Sequence, residues 1–166
     1  MTGYEDKLVP DRARLAARVA TLARPLVFTN GCFDLLHRGH VDYLHQARAL
    51  GASLLVALNT DASVAALGKA PGRPLVPLED RMAVVAGLGC VDLVTCFDEP
   101  TPLALILALR PQVLVKGGDW APEAVVGARE VSGWGGTVRT IDVRYPRSTT
   151  ALVARIRALP QAREAG

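Results

Sequence analysis

The run Leu26-Val27-Phe28-Thr29-Asn30-Gly31-Cys32-Phe33-Asp34-Leu35-Leu36-His37-Arg38-Gly39-His40 changes character along its length. It begins with β-prone apolar residues, passes through the turn pair Asn30-Gly31 and ends in His37-x-Gly39-His40. An apolar pattern of helical period follows at Val41, Leu44 and Ala47. The run therefore reads as a strand, a tight loop and a helix start with two histidines at its entrance. A helix N-terminus presents unpaired N–H groups and the positive end of a dipole, which suits a phosphate. Gly31 and Gly39 let the backbone approach a ligand with no Cβ in the way. His37 and His40 lie three residues apart and share a helix face, where two imidazoles can donate to phosphoryl oxygens. The plainer alternative is one structural and one exposed histidine. The position of the pair, directly after a strand and loop, favours the anion.

On either side of this run, apolar strands alternate with helical patterns. Upstream, residues 1–9 read as loose. Residues 11–22 form a short amphipathic helix carrying Leu15, Val19 and Leu22, and Pro25 punctuates it. Strands are expected at 26–29, 53–58, 91–97, 113–115 and 137–143. Helices are expected at about 40–50, 61–67, 78–88, 101–110, 122–131 and 148–159. Strands that alternate with helices demand a parallel sheet with crossovers packed on it. The expected fold is α/β: one Rossmann-like domain, a five-stranded parallel sheet with helices on both faces. A helical extension over 1–24 precedes the main domain over 25–160. In such sheets ligands bind beyond the carboxyl ends of the strands, where strand order reverses. The polar clusters follow the first, fourth and fifth strands.

Composition bounds the function. At 166 residues, half of them hydrophobic, the chain can bury one substantial core. A net charge of +3 without basic residues interleaved by aromatics argues against a nucleic-acid partner. No segment approaches the roughly 18 unbroken apolar residues of a membrane span. The N-terminus has no signal-peptide pattern. Cys32, Cys90 and Cys96 have no metal spacing and read as reduced thiols, so a cytoplasmic protein is expected.

The segments Gly31-Cys32-Phe33-Asp34 and His37-Arg38-Gly39-His40 resemble the HxGH nucleotidyltransferases. The wording Thr29-Asn30-Gly31-Cys32-Phe33-Asp34 is most similar to the adenylyltransferase domains of ADP-heptose synthases. The likeness continues through Leu58-Asn59-Thr60-Asp61-Ala62-Ser63, Arg73-Pro74, Glu79-Asp80-Arg81-Met82, Lys116-Gly117-Gly118-Asp119 and Ser148-Thr149-Thr150. It covers nearly all of the chain after Arg24. Two departures stand out. The order Leu67-Gly68-Lys69 replaces the family's Leu-Lys-Gly, and Tyr145-Pro146-Arg147 stands where a glycine usually precedes Ser-Thr-Thr.

The resemblance implies transfer of AMP from ATP to D-glycero-β-D-manno-heptose 1-phosphate, with release of pyrophosphate. A sugar phosphate is already ionised, so no general base is needed. Catalysis is positioning and charge stabilisation. In this reading His37, His40 and Lys69 are catalytic, the histidines donating to the α-phosphate. Thr29, Asn30, Gly31, Phe33 and Gly39 shape the nucleotide pocket. Lys116, Gly117, Asp119 and Trp120 face the base and ribose, although a strand-to-helix turn with a core Trp fits the same residues. Ser148, Thr149 and Thr150 hold the β- and γ-phosphates or simply cap a helix, and Arg144 or Arg147 reaches the phosphates beside them. Cys32, Asp34, Lys69 and Arg81 fall to the sugar phosphate. Packing is the plainer reading of Cys32, a structural ion pair of Arg81, and a water-mediated Mg²⁺ contact another role for Asp34. Mg²⁺ is expected mainly on the ATP phosphates, with no protein metal site. A separate sugar kinase upstream and a homo-oligomer are also implied. Competing readings are a cytidylyltransferase for glycerol phosphate or a similar phosphorylated alcohol, and a non-catalytic nucleotide-binding module.

Overall fold

The computed structural model describes residues 3–68, 71–142, 144–145 and 149–159. Five strands form one parallel sheet in the order β3-β2-β1-β4-β5. They are β1 (Leu26–Gly31), β2 (Ser53–Asn59), β3 (Leu93–Phe97), β4 (Val113–Gly117) and β5 (Thr137–Ile141). The register is regular, with Thr29 opposite both Val56 and Val115. The helices are α1 (Arg12–Ala20), α2 (Arg38–Arg48), α3 (Asp61–Ala66), α4 (Leu78–Ala86), α5 (Leu103–Leu109), α6 (Ala128–Gly133) and α7 (Thr149–Arg157).

The strands are continuous apolar runs because both sheet faces are covered. Period-2 alternation sends Leu26, Phe28, Leu55, Ala57, Leu93 and Leu114 into a core shared with α1, α5 and α6. Val27, Leu54, Val56, Leu58, Val94 and Val115 enter the opposite core with α2 and α4. The two-layered expectation of the sequence therefore holds, with strand ends shifted by a residue or two.

Two expectations are corrected. The N-terminus is not loose over its described residues: Tyr4–Lys7 is a 3-10 turn, Leu8 bridges Val94, and Val9 is buried against the edge of β3. The helix expected over 122–131 is broken into a 3-10 turn (Pro122–Ala124) and α6. Gly127, with φ of 89°, separates them, and a Cβ there would stand 2.7 Å from the Ile106 Cδ1 methyl. Only a glycine lets the chain pass that close in that conformation.

Candidate active site

From the central pair, the chain order runs outward to β2 and β3 on one side and to β5 on the other. The crevice between the carboxyl ends of β1 and β4 is therefore the switch point where ligands bind in open α/β sheets. Asn30-Gly31 ends β1 there, and Lys116-Gly117 ends β4.

His37 is the N-cap of α2, and its side chain makes no capping bond. The His40 and Val41 N–H groups bond the His37 carbonyl, and those of Arg38 and Gly39 are left for another acceptor. The rings of His37 and His40 stack with centroids 3.9 Å apart and planes at 19°. Phe33 flanks His40, centroid to centroid 5.3 Å. Nδ1 of each histidine is buried with no hydrogen-bond partner among the described residues. Two orphaned ring nitrogens side by side at an uncapped helix start form a ready anion site. Gly39 lets the His37 ring and the Tyr145 carbonyl approach the α2 backbone: a Cβ would lie 3.0 Å from that oxygen and 3.1 Å from the His37 ring. Phe33 holds φ of 47°, a left-handed conformation that costs a bulky residue roughly 1–3 kcal/mol and concentrates at functional sites.

Burial, and next the charge of His37, push His40 down to about 4. Burial also lowers His37, partly offset by its own backbone. At neutral pH both rings are uncharged donors. Because the folded chain disfavours protonation, this contribution to stability is complete above the ordinary value of 6.5 and is lost as pH falls from 6.5 towards 4. The urea midpoint is expected to drop across that window. A His40→Gln variant should show a shallower drop in the same titration.

The loop after β1 is braced by buried charge. Asp34 Oδ1 accepts from the backbone N–H groups of Leu75 (2.8 Å) and Val76 (3.0 Å). Its other oxygen pairs with Arg73 Nε, and the Asp34 side chain is fully buried. Arg81 donates to Val76 O (2.9 Å), Cys32 O (2.6 Å) and Asp61 Oδ1 (2.5 Å), with none of its side chain exposed. The expected roles of two residues are thereby corrected. Arg81 forms the structural ion pair that the sequence also allowed, with its guanidinium sealed by Asp61 and two backbone carbonyls, so it does not face a sugar phosphate. Asp34 is filled by Arg73 and two amides, so it is not an exposed ligand for substrate or metal. Thr29 is also corrected: it is fully buried, and its hydroxyl lies 2.5 Å from that of Tyr43, which fixes α2 to the sheet rather than facing a nucleotide. Burial raises the Tyr43 hydroxyl above its ordinary value.

The remaining site residues gather at the same end. Asn30, Gly31, Cys32 and Lys116 line one cavity of about 210 Å³. Cys32 Sγ lies 3.9 Å from Asn59 Oδ1. Gly117 packs on the Tyr43 ring, 3.2 Å from the position of a Cβ. Gly118 takes φ of 103° and turns the chain so that Asp119 and Trp120 stand exposed above β4. Trp120 is therefore not a core residue. The start of α7 reaches the histidine segment through Thr149 Oγ1, which donates to Leu35 O at 3.5 Å. Thr150 and Arg73 line one hollow beside it, and Arg144 is exposed. Lys69, Arg147 and Ser148 lie outside the described residues. Among the described residues, no group of three or more His, Cys, Asp or Glu is placed to hold a metal ion. No helix among them is long and apolar enough to cross a membrane.

Sequence reasoning missed three supports. Arg73 stood in a quoted motif without a role. Tyr43 gave no signal beyond helical spacing. Arg38 stacks on Tyr145 at 3.7 Å and donates to its hydroxyl at 2.7 Å, a contact across the chain that no local pattern announces.

The cytidylyltransferase-like family model matches residues 28–156. The D-beta-D-heptose 1-phosphate adenylyltransferase of Bordetella bronchiseptica is 54% identical over 156 residues, which is 93% of this chain and 96% of that protein. The bifunctional protein HldE of Hahella chejuensis is 57% identical over 132 residues, covering 80% of this chain but only 28% of HldE. A lipopolysaccharide core biosynthesis protein from Thermoplasma volcanium shares the fold with a TM-score of 0.60 and 26% identity, over 74% of this chain and 98% of that one. Pantothenate synthetase from Thermus thermophilus, 21% identical with a TM-score of 0.57 over 86% of this chain and 63% of its own, is alike in fold alone. The likeness first carried by Gly31 to His40 thus extends over the whole sheet, and this chain belongs to the cytidylyltransferase-like family of nucleotidyltransferases.

Proposed function

We propose that this chain transfers AMP from ATP to D-glycero-β-D-manno-heptose 1-phosphate, giving ADP-heptose and pyrophosphate. The observation that carries the reading is 54% identity, across 93% of the chain, to a heptose 1-phosphate adenylyltransferase. The stacked histidine pair at the start of α2 fits that chemistry.

A sugar phosphate oxygen attacks the α-phosphorus. The new O–P bond forms as the bond from the α-phosphorus to the bridging oxygen of pyrophosphate breaks. Negative charge grows on the nonbridging oxygens, where His37 and His40 donate with the N–H groups of the α2 start. Bound phosphate raises the pKa of both imidazoles, so the site gains positive charge as its substrate arrives. Thr149 and Thr150, with Ser148, Lys69 and Arg144 or Arg147, take the leaving pyrophosphate. Lys116, Gly117, Asp119 and Trp120 receive the nucleoside. Mg²⁺ would come with the ATP phosphates and offset part of their charge there; Asp34 would not hold it, because its carboxylate is taken by Arg73 and by the Leu75 and Val76 amides.

The test is pyrophosphate release with Mg²⁺ and heptose 1-phosphate, ATP against CTP. ATP-dependent release is expected. Release only with CTP and a different phosphorylated alcohol would overturn the substrate assignment. Nucleotide binding without release under any pairing would overturn the enzyme assignment.

A further inference from the structure

The cavity of about 210 Å³ lies on the far side of the β1 tip from the histidines. Its walls Phe97 and Val125 belong to the core under α1, α5 and α6, whereas Phe33 and Leu44, beside and below the histidines, belong to the opposite core. The start of α7 stands on the histidine side, against Leu35. In an in-line displacement, nucleophile and leaving group occupy opposite sides of the phosphorus. If pyrophosphate leaves towards α7, the acceptor enters from the cavity.

The lining suits one polyhydroxylated ring. Phe97, Pro102, Val125 and Val126 offer apolar surface for C–H faces, and Asn59 and Thr101 offer polar groups. Pockets for drug-sized ligands run to roughly 300–1,000 Å³, so this smaller space fits a single ring better than a whole nucleoside triphosphate. Asn59 is 5% exposed. It donates one N–H to Ser63 Oγ at 3.0 Å, and its oxygen meets only the weak Cys32 thiol donor among the described residues. An amide carries two N–H donors and an oxygen with two lone pairs, so it retains capacity for a ligand. The wall is preorganised: Ser63 Oγ donates to Glu99 O at 3.5 Å, and Thr60 Oγ1 bonds Asp98, tying the end of β2 to the segment that carries Thr101.

We infer that Asn59 and Thr101 are specificity-determining residues that bind hydroxyls of the acceptor sugar in this cavity, an assignment that rests on the proposed function. The test compares wild type with Thr101→Val, Asn59→Ala and Val126→Phe. Thr101 is exposed and Val126 is 42% exposed, so those two variants leave the core intact. For Thr101→Val and Asn59→Ala, kcat/KM for the heptose phosphate is expected to fall about tenfold, the scale of one lost hydrogen bond to a bound hydroxyl. Val126→Phe should fall further by filling the space. In all three the Kd for ATP, by calorimetry without acceptor, should stay within about twofold. The preference for heptose 1-phosphate over mannose 1-phosphate, which lacks one carbon and its hydroxyl, should shrink in the first two, an effect that general destabilisation does not produce. A weakened ATP Kd with unchanged acceptor kinetics would place the nucleotide in this cavity and overturn the inference. An unchanged sugar preference in both polar variants would overturn the assignment of Asn59 and Thr101. A wild-type chain inactive with the heptose phosphate would overturn the proposed function itself and the inference with it.

Discussion

His40→Ala is expected to lower kcat for pyrophosphate release by about 10²–10³, the usual cost of removing one preorganised donor to a developing oxyanion. His40 stacks on His37 and is flanked by Phe33, so its ring direction is set before substrate arrives. His40 is half-buried, and a hydrogen bond in that less polar surrounding is stronger than in bulk water. The loss should fall mainly on kcat, because charge on the α-phosphate oxygens grows only as the transition state forms. ATP still meets the α2 N–H groups and the α7 start, so its KM should change less. Steady-state kinetics on a folded variant checks both. An unchanged kcat would remove His40 from the chemistry.

Asp34→Ala is expected to give the largest loss of stability, about 3–5 kcal/mol, the range for breaking a buried pair from one side. The deletion strands the Arg73 guanidinium, whose side chain is only 15% exposed, and leaves the N–H groups of Leu75 and Val76 without their acceptor. For a chain of this length that corresponds to a Tm lower by roughly 10 °C. Asp34→Asn keeps an acceptor oxygen for the two amides and loses the charge, so its cost should be smaller. Urea unfolding of both variants separates these contributions. Equal stability of wild type and Asp34→Ala would show that the brace is not formed.

The sheet was legible in the sequence because its strands are unbroken aliphatic runs separated by turn residues. The histidine site was legible because its parts are adjacent: a strand end, two glycines and a helix start within one run. What escaped were contacts between distant segments. Nothing near Asp34 tells that its carboxylate meets amides at Leu75 and Val76, and nothing near Arg81 tells that its guanidinium ends on Cys32 O. Both look like ligand-seeking charges in a motif, and both are buried struts beneath the loop. Thr29 misled similarly: its position is the last buried turn of the strand pattern, so its hydroxyl serves Tyr43. The break at Gly127 was hidden because the close Ile106 methyl comes from another helix.

The most direct test supplies heptose 1-phosphate whose three nonbridging phosphate oxygens are ¹⁸O, together with unlabelled ATP and Mg²⁺, and weighs the sugar nucleotide by mass spectrometry. If the sugar phosphate attacks the α-phosphorus, ADP-heptose carries all three labels, one of them bridging the two phosphorus atoms, and pyrophosphate is unlabelled. Release of AMP and pyrophosphate with no labelled ADP-heptose would mean that water, not the sugar phosphate, is the nucleophile, and would contradict the proposed transfer.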